Sequence, residues 1–164
     1  MVIFPFLFFC FMVYNVEKEV KIMHIIVCVD DSNGIMFNNR RVSFDKKVTQ
    51  RIIEITQHKR LWVSHYTLKL FEKVSLKNTN LIVSNSFFSK SKANKNDYVF
   101  VEDILPESLE DCEEVIIFRW NRKYPSDVKF YFDLSDSFEL TSSEKIKGFS
   151  HIEVTEEHFT KKSE

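Results

Sequence analysis

Arginines, asparagines and an indole recur just after the short apolar runs of this chain, where a sheet would bring them together. Asn38, Asn39, Arg40 and Arg41 lie in the polar stretch after the first run, and His65 and Thr67 follow the second. Arg119, Trp120, Asn121 and Arg122 follow a later one. In a parallel sheet, the loops at the carboxyl ends of the strands line the binding crevice. Four guanidinium groups beside amides and an indole would make a site for an anionic, planar ligand such as a nucleotide. Arginine grips phosphate or carboxylate with two donors and stacks on rings. Asp45 would sit at the mouth of the same cleft. With His65, whose ordinary pKa of about 6.5 suits proton transfer, it would supply a catalytic acid and base.

Each of these residues also has a plainer role. Asp45 stands where a helix N-cap is needed. Arg40 and Arg41 read as a solvated loop pair. Trp62 reads as core and Trp120 as core or ligand platform, because indoles bury most of their area. Arg119 directly follows a buried strand, so it faces either a ligand or an internal acid. His151 and His158 lie near Glu153, Glu156 and Glu157, but their spacing matches no metal motif and reads as a surface face. There is no nucleophile motif, so hydrolase chemistry fits poorly.

The elements that must position these groups follow from periodicity. His24–Val29 is a continuous apolar run rich in β-branched residues, a strand buried on both faces. Asp30–Phe44 reads as a loop. Val48, Ile52, Ile53 and Ile55 have helical spacing after Asp45. Leu61–Val63, Leu81–Val83, Tyr98–Val101 and Val115–Phe118 are further strands, with a short helix at Thr67–Phe71. Pro106–Cys112 predicts a helix opened by proline. Ser84–Asn96, rich in Ser, Lys and Asn, predicts a mobile surface loop. Lys129–Phe132 and Phe138–Thr141 alternate as antiparallel strands do. Thr155–Lys162 fits a helix or a strand end equally. The order predicts a three-layer α-β-α fold around a mostly parallel mixed sheet with antiparallel C-terminal strands.

Composition narrows the possibilities. The formal net charge of the 164 residues is −1, which argues against nucleic acid or a membrane surface as partner. Cys10, Cys28 and Cys112 show neither pairing nor metal spacing, as in a reduced cytoplasmic protein. The chain has only two glycines, Gly34 and Gly148, where average usage is about 7 per cent. A Gly-rich dinucleotide loop, whose backbone N–H groups approach phosphate closely, cannot be built from them; no cofactor is expected.

Residues 1–14 are apolar but lack the basic start and small-residue cleavage site of a signal peptide. They also fall short of the about 20 residues of a membrane span. Lys18–Met23 back-translates to a purine-rich stretch before a start codon, so residues 1–22 are expected to be a translated leader, or otherwise an apolar N-terminal anchor. Residues 23–160 would then form one α/β domain and 161–164 a tail.

Four segments carry a family resemblance. CVDDSNGIMFNN (28–39) resembles the first strand and substrate loop of dihydrofolate reductase. SFDKKVTQRIIEIT (43–56) resembles its Pro-x-Asp helix start, KRLWVSHYTLKLF (59–71) its Gly-Arg-x-Thr turn and helix, and EEVIIFRW (113–120) its strand leading to a Gly-Gly pair. The resemblance implies that Asp45 takes the place of the substrate-binding carboxylate and Thr67 that of the turn threonine. Ser64 and His65 replace Gly-Arg, and Phe118, Arg119 and Trp120 replace the glycines beside the nicotinamide. Arg41–Phe44 stands near the place of the missing Leu-Pro-Trp. The fold is therefore expected and the reductase activity is not. FNNRR and RWNRKYPSD also resemble a small bacterial family, some members of which carry the name ribonuclease Z; this chain lacks the His-x-His-x-Asp-His metal motif such enzymes use.

The leading expectation is a non-reducing domain that binds an anionic small molecule. An enzyme acting on a nucleotide or pterin-like substrate through Asp45 and His65 is the alternative. RNA binding through the basic loops, with Trp120 and Tyr124 as stacking surfaces, comes third.

Overall fold

A computed structural model describes residues 23–163 apart from 73, 77, 90–92, 94 and 95. The expected leader, residues 1–22, lies outside the described residues. Strand β1 (Met23–Val29) is followed by β2 (Gly34–Phe37) and β3 (Arg40–Arg41), helix α1 (Lys46–Ile55), β4 (Arg60–Val63) and helix α2 (His65–Phe71). Then come β5 (Asn80–Val83), β6 (Asp97–Val101), β7 (Cys112–Arg119), β8 (Val128–Lys129), β9 (Phe138–Ile146) and β10 (Val154–Lys161).

Seven strands form the main sheet in the order β5-β4-β6-β1-β7-β10-β9. β5, β4, β6, β1 and β7 run parallel, and β10 and β9 close the sheet antiparallel. This is the mostly parallel mixed sheet that the strand and helix order predicts. β1 sits in the middle because it is apolar on both faces. Ile25, Val27 and Val29 pack into one core and Ile26 into the other. Thr155–Lys162 resolves as strand: His158 sits opposite Ile116 on one side and Ser142 on the other.

The two faces are covered differently. α1 lays Val48, Ile52 and Ile53 on Ile26, Phe100, Ile116 and Phe118, and α2 adds Phe71. Burying each such aliphatic side chain contributes about 1.5–3 kcal/mol. The other face is covered by turns, extended chain and part of the small sheet, which supply Ile35, Met36, Phe87, Phe130, Leu134 and Phe138. Pro106–Cys112, expected as a helix, is instead a turn in which Cys112 N donates to Leu109 O at 3.0 Å. The turn lets Ile104, Leu105 and Leu109 pack on the core instead. In the Ser84–Asn96 loop, Phe87 and Ala93 are buried; the mobility expected there falls partly on residues outside those described.

Asp30–Phe44 is not a plain loop. β2 pairs with β3 and β8 in a three-stranded sheet of order β3-β2-β8. The β2–β3 turn is Asn38–Asn39, with φ of 47° and 59°, the conformation of a tight two-residue hairpin. Six of the seven positive-φ residues among those described are asparagines: 33, 38, 39, 78, 96 and 121. Asparagine tolerates this region better than other side chains, and here it takes the turn positions that glycine fills in most chains. The strand expected over Lys129–Phe132 stops early: β8 ends at Lys129, and beyond it Phe130 N donates to Asn33 O at 2.8 Å. No helix among the described residues is long and apolar enough to cross a membrane.

Candidate functional site

Beside the carboxyl ends of β4 and β6, four side chains meet. Glu102, the residue after β6, is 5% exposed. The Arg41 guanidinium lies 2.8 Å from it through Nε and 3.2 Å through Nη2, and Thr67 Oγ1 donates to it at 2.8 Å. Arg41 also rests over the Tyr66 ring, 4.8 Å from its centroid, while its backbone N donates to the Tyr66 hydroxyl at 2.9 Å. Burial pushes the Glu102 carboxyl upward, and Arg41 and Thr67 only partly oppose it. Burial first, and then the Glu102 carboxylate, push the Cys28 thiol well up.

Two grooves meet at Arg41. One, of about 280 Å³, lies between α1 and α2 and is lined by Phe44, Lys46, Thr49, Lys69, Leu70 and Val74 with Arg41. The other, of about 530 Å³, runs under the β2–β3 hairpin along Phe37, Asn38, Arg40, Val42, Tyr124 and Pro125. Lys46, Lys69 and Arg40 are exposed, and among the described residues no carboxylate lines either groove.

The amino end of α2 is already occupied. Ser64 caps it, accepting from Thr67 N at 3.0 Å and donating to Asp103 Oδ1 at 2.5 Å. Asn85 Oδ1 takes His65 N and lies 3.0 Å from its ring Nδ1. The chain's own oxygens thus sit where Ser64 and His65 replace the Gly-Arg turn.

Asp45 caps α1 by accepting from Lys47 N at 2.8 Å. Its carboxylate is also cradled by the backbone N–H groups of Phe149, Ser150 and His151 at 2.8–3.0 Å. A Cβ at Gly148 would fall 2.7 Å from Asp45 Oδ2, so glycine lets this loop close on the carboxylate. His151 Nδ1 lies 3.1 Å from Asp45, and His151 Nε2 meets Ser43 Oγ at 3.0 Å and the Tyr124 hydroxyl at 3.2 Å. Burial acts to raise the Asp45 pKa, but the bonds from Phe149, His151, Ser150 and Lys47 hold it well below the usual carboxylate range. A carboxylate has about four acceptor positions, and these donors fill them.

Several expected groupings therefore come apart. The partner of Asp45 is His151, not His65, which is exposed and bonded to Asn85. His151, expected on a surface face, is buried and stacks on Trp120 with centroids 4.7 Å apart. Trp120 is core, 3% exposed. Arg119 turns to an internal acid, Glu157, at 2.6 Å. Asn121, at φ 55°, bonds Thr155, and Arg122 is exposed, its carbonyl accepting from Asp31 N. Asn39 turns the hairpin. Of the three loops expected to converge, the one bearing Arg41 and the one bearing Thr67 meet at Glu102; the third reaches the hairpin groove through Tyr124 and Pro125, whereas Arg119, Trp120, Asn121 and Arg122 are not among the residues lining either groove. Glu102 escaped notice, though it directly follows a buried strand just as Arg119 does. Lys46 and Lys69 read as ordinary helix-surface charges.

No protein-family model and no curated protein matches the chain. Among solved structures, the dihydrofolate reductase of Enterococcus faecalis, complexed with NADP(H) and RAB-propyl, matches 87% of this chain and 97% of its own at 12% identity, with a TM-score of 0.62. The chain thus has a dihydrofolate-reductase-like fold. At that identity the likeness speaks for the fold alone.

Proposed function

We propose that this chain is a non-reducing domain of dihydrofolate-reductase-like fold that binds a small anionic molecule with an apolar body in the groove around Arg41. The observation that carries this reading is charge placement. Arg41, Lys46 and Lys69 ring a cleft whose walls are Phe44, Leu70 and Val74, and among the described residues only Arg41 of the three is matched, by Glu102. The exposed ammonium groups would meet a ligand's phosphate or carboxylate while the apolar walls take its body. The occupied start of α2, together with the carboxylates of Glu102 and Asp103, speaks against a dinucleotide phosphate there. Asp45, with its acceptor positions filled, is a poor candidate for a general base.

The test is a thermal-shift screen of phosphorylated and carboxylated metabolites, nucleotides, folates and NADPH, repeated on Lys46→Ala and Lys69→Ala. At a hundredfold excess over its Kd a ligand adds about 2.7 kcal/mol of stability. A shift with one anionic class, lost in both lysine variants, is the expected result. A shift with NADPH alone, or with no anion, would overturn the reading.

A further inference from the structure

On the face of the sheet away from α1 and α2, a cavity of about 580 Å³ opens between β7, β10, β9 and the segment 130–135. Five aromatic rings line it: Phe130, Tyr131, Phe132, Phe138 and Phe159. Phe130 and Phe138 are buried, whereas Tyr131 is 68% exposed. Tyr131 stacks on Phe132 with centroids 4.9 Å apart and planes at 27°, and Phe132 meets Phe130 at 5.1 Å and 60°. Tyr131 and Phe132 cover one face of each other, and Tyr131 is the most exposed of the five rings. Each ring face carries partial negative charge that attracts a cation, most strongly one shielded from water.

The fixed charges point the same way. Arg119 reaches the rim, but Glu157 at 2.6 Å matches its charge and Asn33 takes another of its donors at 3.0 Å. Lys162 turns its ammonium to the carbonyls of Ser135 and Asp136 at 2.7 and 3.2 Å. Asp133 is the lining charge left over. Ser135 donates to it from both its backbone N and its hydroxyl, which holds its carboxyl below the usual range. An anionic ligand would meet Asp133, and a neutral one would leave the ring faces electrostatically unused.

We propose that this cavity binds a small organic cation of the trimethylammonium class, with its methyl groups against the accessible rings of Tyr131, Phe132 and Phe159 and its charge facing Asp133 and the Tyr131 ring. Such a cation is weakly hydrated, so it loses little on entering an aromatic cage. Ligand charge and position both differ from those of the Arg41 groove, so the two sites stand or fall separately.

The experiment is an NMR titration of the full chain with choline and with its uncharged isostere 3,3-dimethylbutan-1-ol. Choline is expected to give saturable shifts at Tyr131, Phe132 and Phe159 and to bind several-fold more tightly than the isostere. Tyr131→Ala should weaken choline by about two- to thirtyfold, the range for losing one cation–ring contact. Asp133→Asn should weaken choline and leave the isostere unchanged. Both side chains are exposed, so each variant keeps its fold, which the same spectra verify. Repeating the titration with trimethyllysine distinguishes a metabolite from a modified side chain as the source, since either result requires the same headgroup. Equal affinity for the isostere, the absence of saturable shifts, or a choline affinity unchanged by Tyr131→Ala would each overturn the proposal.

Discussion

Two polar clusters lie on the helix-covered side of the sheet, one running from the amino ends of its parallel strands along β10 and the other at their carboxyl ends. At the amino ends, Glu114 takes His24 and His158 on its two oxygens, each at 3.0 Å. The other nitrogen of His158 meets Glu156 at 2.8 Å, and Glu156 receives two bonds from Arg51 on α1. Both carboxylates in this cluster are matched, by His158 and by Arg51, and His24 adds a hydrogen bond to Glu114. At the carboxyl ends, Arg41 and Glu102 are matched, but Lys46 and Lys69, on the same groove, have no ion-pair partner among the described residues. Matched charges tie β1, β7, β10 and α1 together and leave nothing for a ligand. The surplus cations at the other end are what make it a candidate site. The unmatched charge, rather than the number of charges, separates a site from a brace.

The largest expected effect comes from unmatching the pair at the carboxyl ends. Glu102→Gln leaves the largely buried Arg41 without its counter-charge, and urea unfolding should show a loss of about 3 kcal/mol. A loss under about 1 kcal/mol would mean that water in the groove already solvates Arg41, and the contrast between the two ends would weaken.

Acid and base should open the amino-end cluster from both sides. Hydrogen bonds to Glu114 and then Glu156 push His158 up to about 9 from an ordinary value of 6.5. Its stabilisation is therefore complete below pH 6.5 and lost as pH rises through about 9. Bonds from His158 and His24 draw Glu114 down to about 2. For Glu156, burial acts upward, but His158 and Arg51 prevail and bring it to about 2. The stabilisation these two carboxylates supply is present above an ordinary value of 4.5 and is lost as pH falls through about 2. After solvent screening each limb should amount to about 1–2 kcal/mol. Denaturation midpoints across pH, with His158→Gln flattening the alkaline limb, measure this. An unchanged alkaline limb in that variant would detach the cluster from stability.

The smallest effect on stability belongs to the unmatched cations. Lys46→Ala and Lys69→Ala should each stay within about 0.5 kcal/mol of the parent, while removing the ligand response. A clear loss of stability in the absence of ligand would show that they brace the fold as the amino-end cluster does.

Much of this architecture was legible in the chain. Ile25–Val29 carries the signature of a central strand, and Asp45 before Val48, Ile52 and Ile53 marks the start of α1. The hairpin was missed because Asn38–Asn39 lacks the glycine that usually announces a two-residue turn. The scarcity of glycine reads differently in three dimensions, because asparagines hold the positive-φ turns and both glycines serve close approach. Gly34 sits against Ser126 and Asp30, as Gly148 does against Asp45 and His151. The helix read at Pro106–Cys112 failed because local acid placement and an initiating proline are outweighed by the packing of Ile104, Leu105 and Leu109 on the core.

What the sequence determined by itself is local: the apolar runs, the cap of α1, the period-two end, and with them a mostly parallel sheet closed by antiparallel strands. Those features depend on neighbours within a few residues, whose periodicity is written in order along the chain. Only the tertiary structure decided which charge meets which. Arg41 finds Glu102 across 61 positions and Asp45 finds His151 across 106, and no local pattern encodes a partner at such distance. Strand order and register bring these groups together, so which cations are matched, and which are left for a ligand, is settled only when the sheet is assembled.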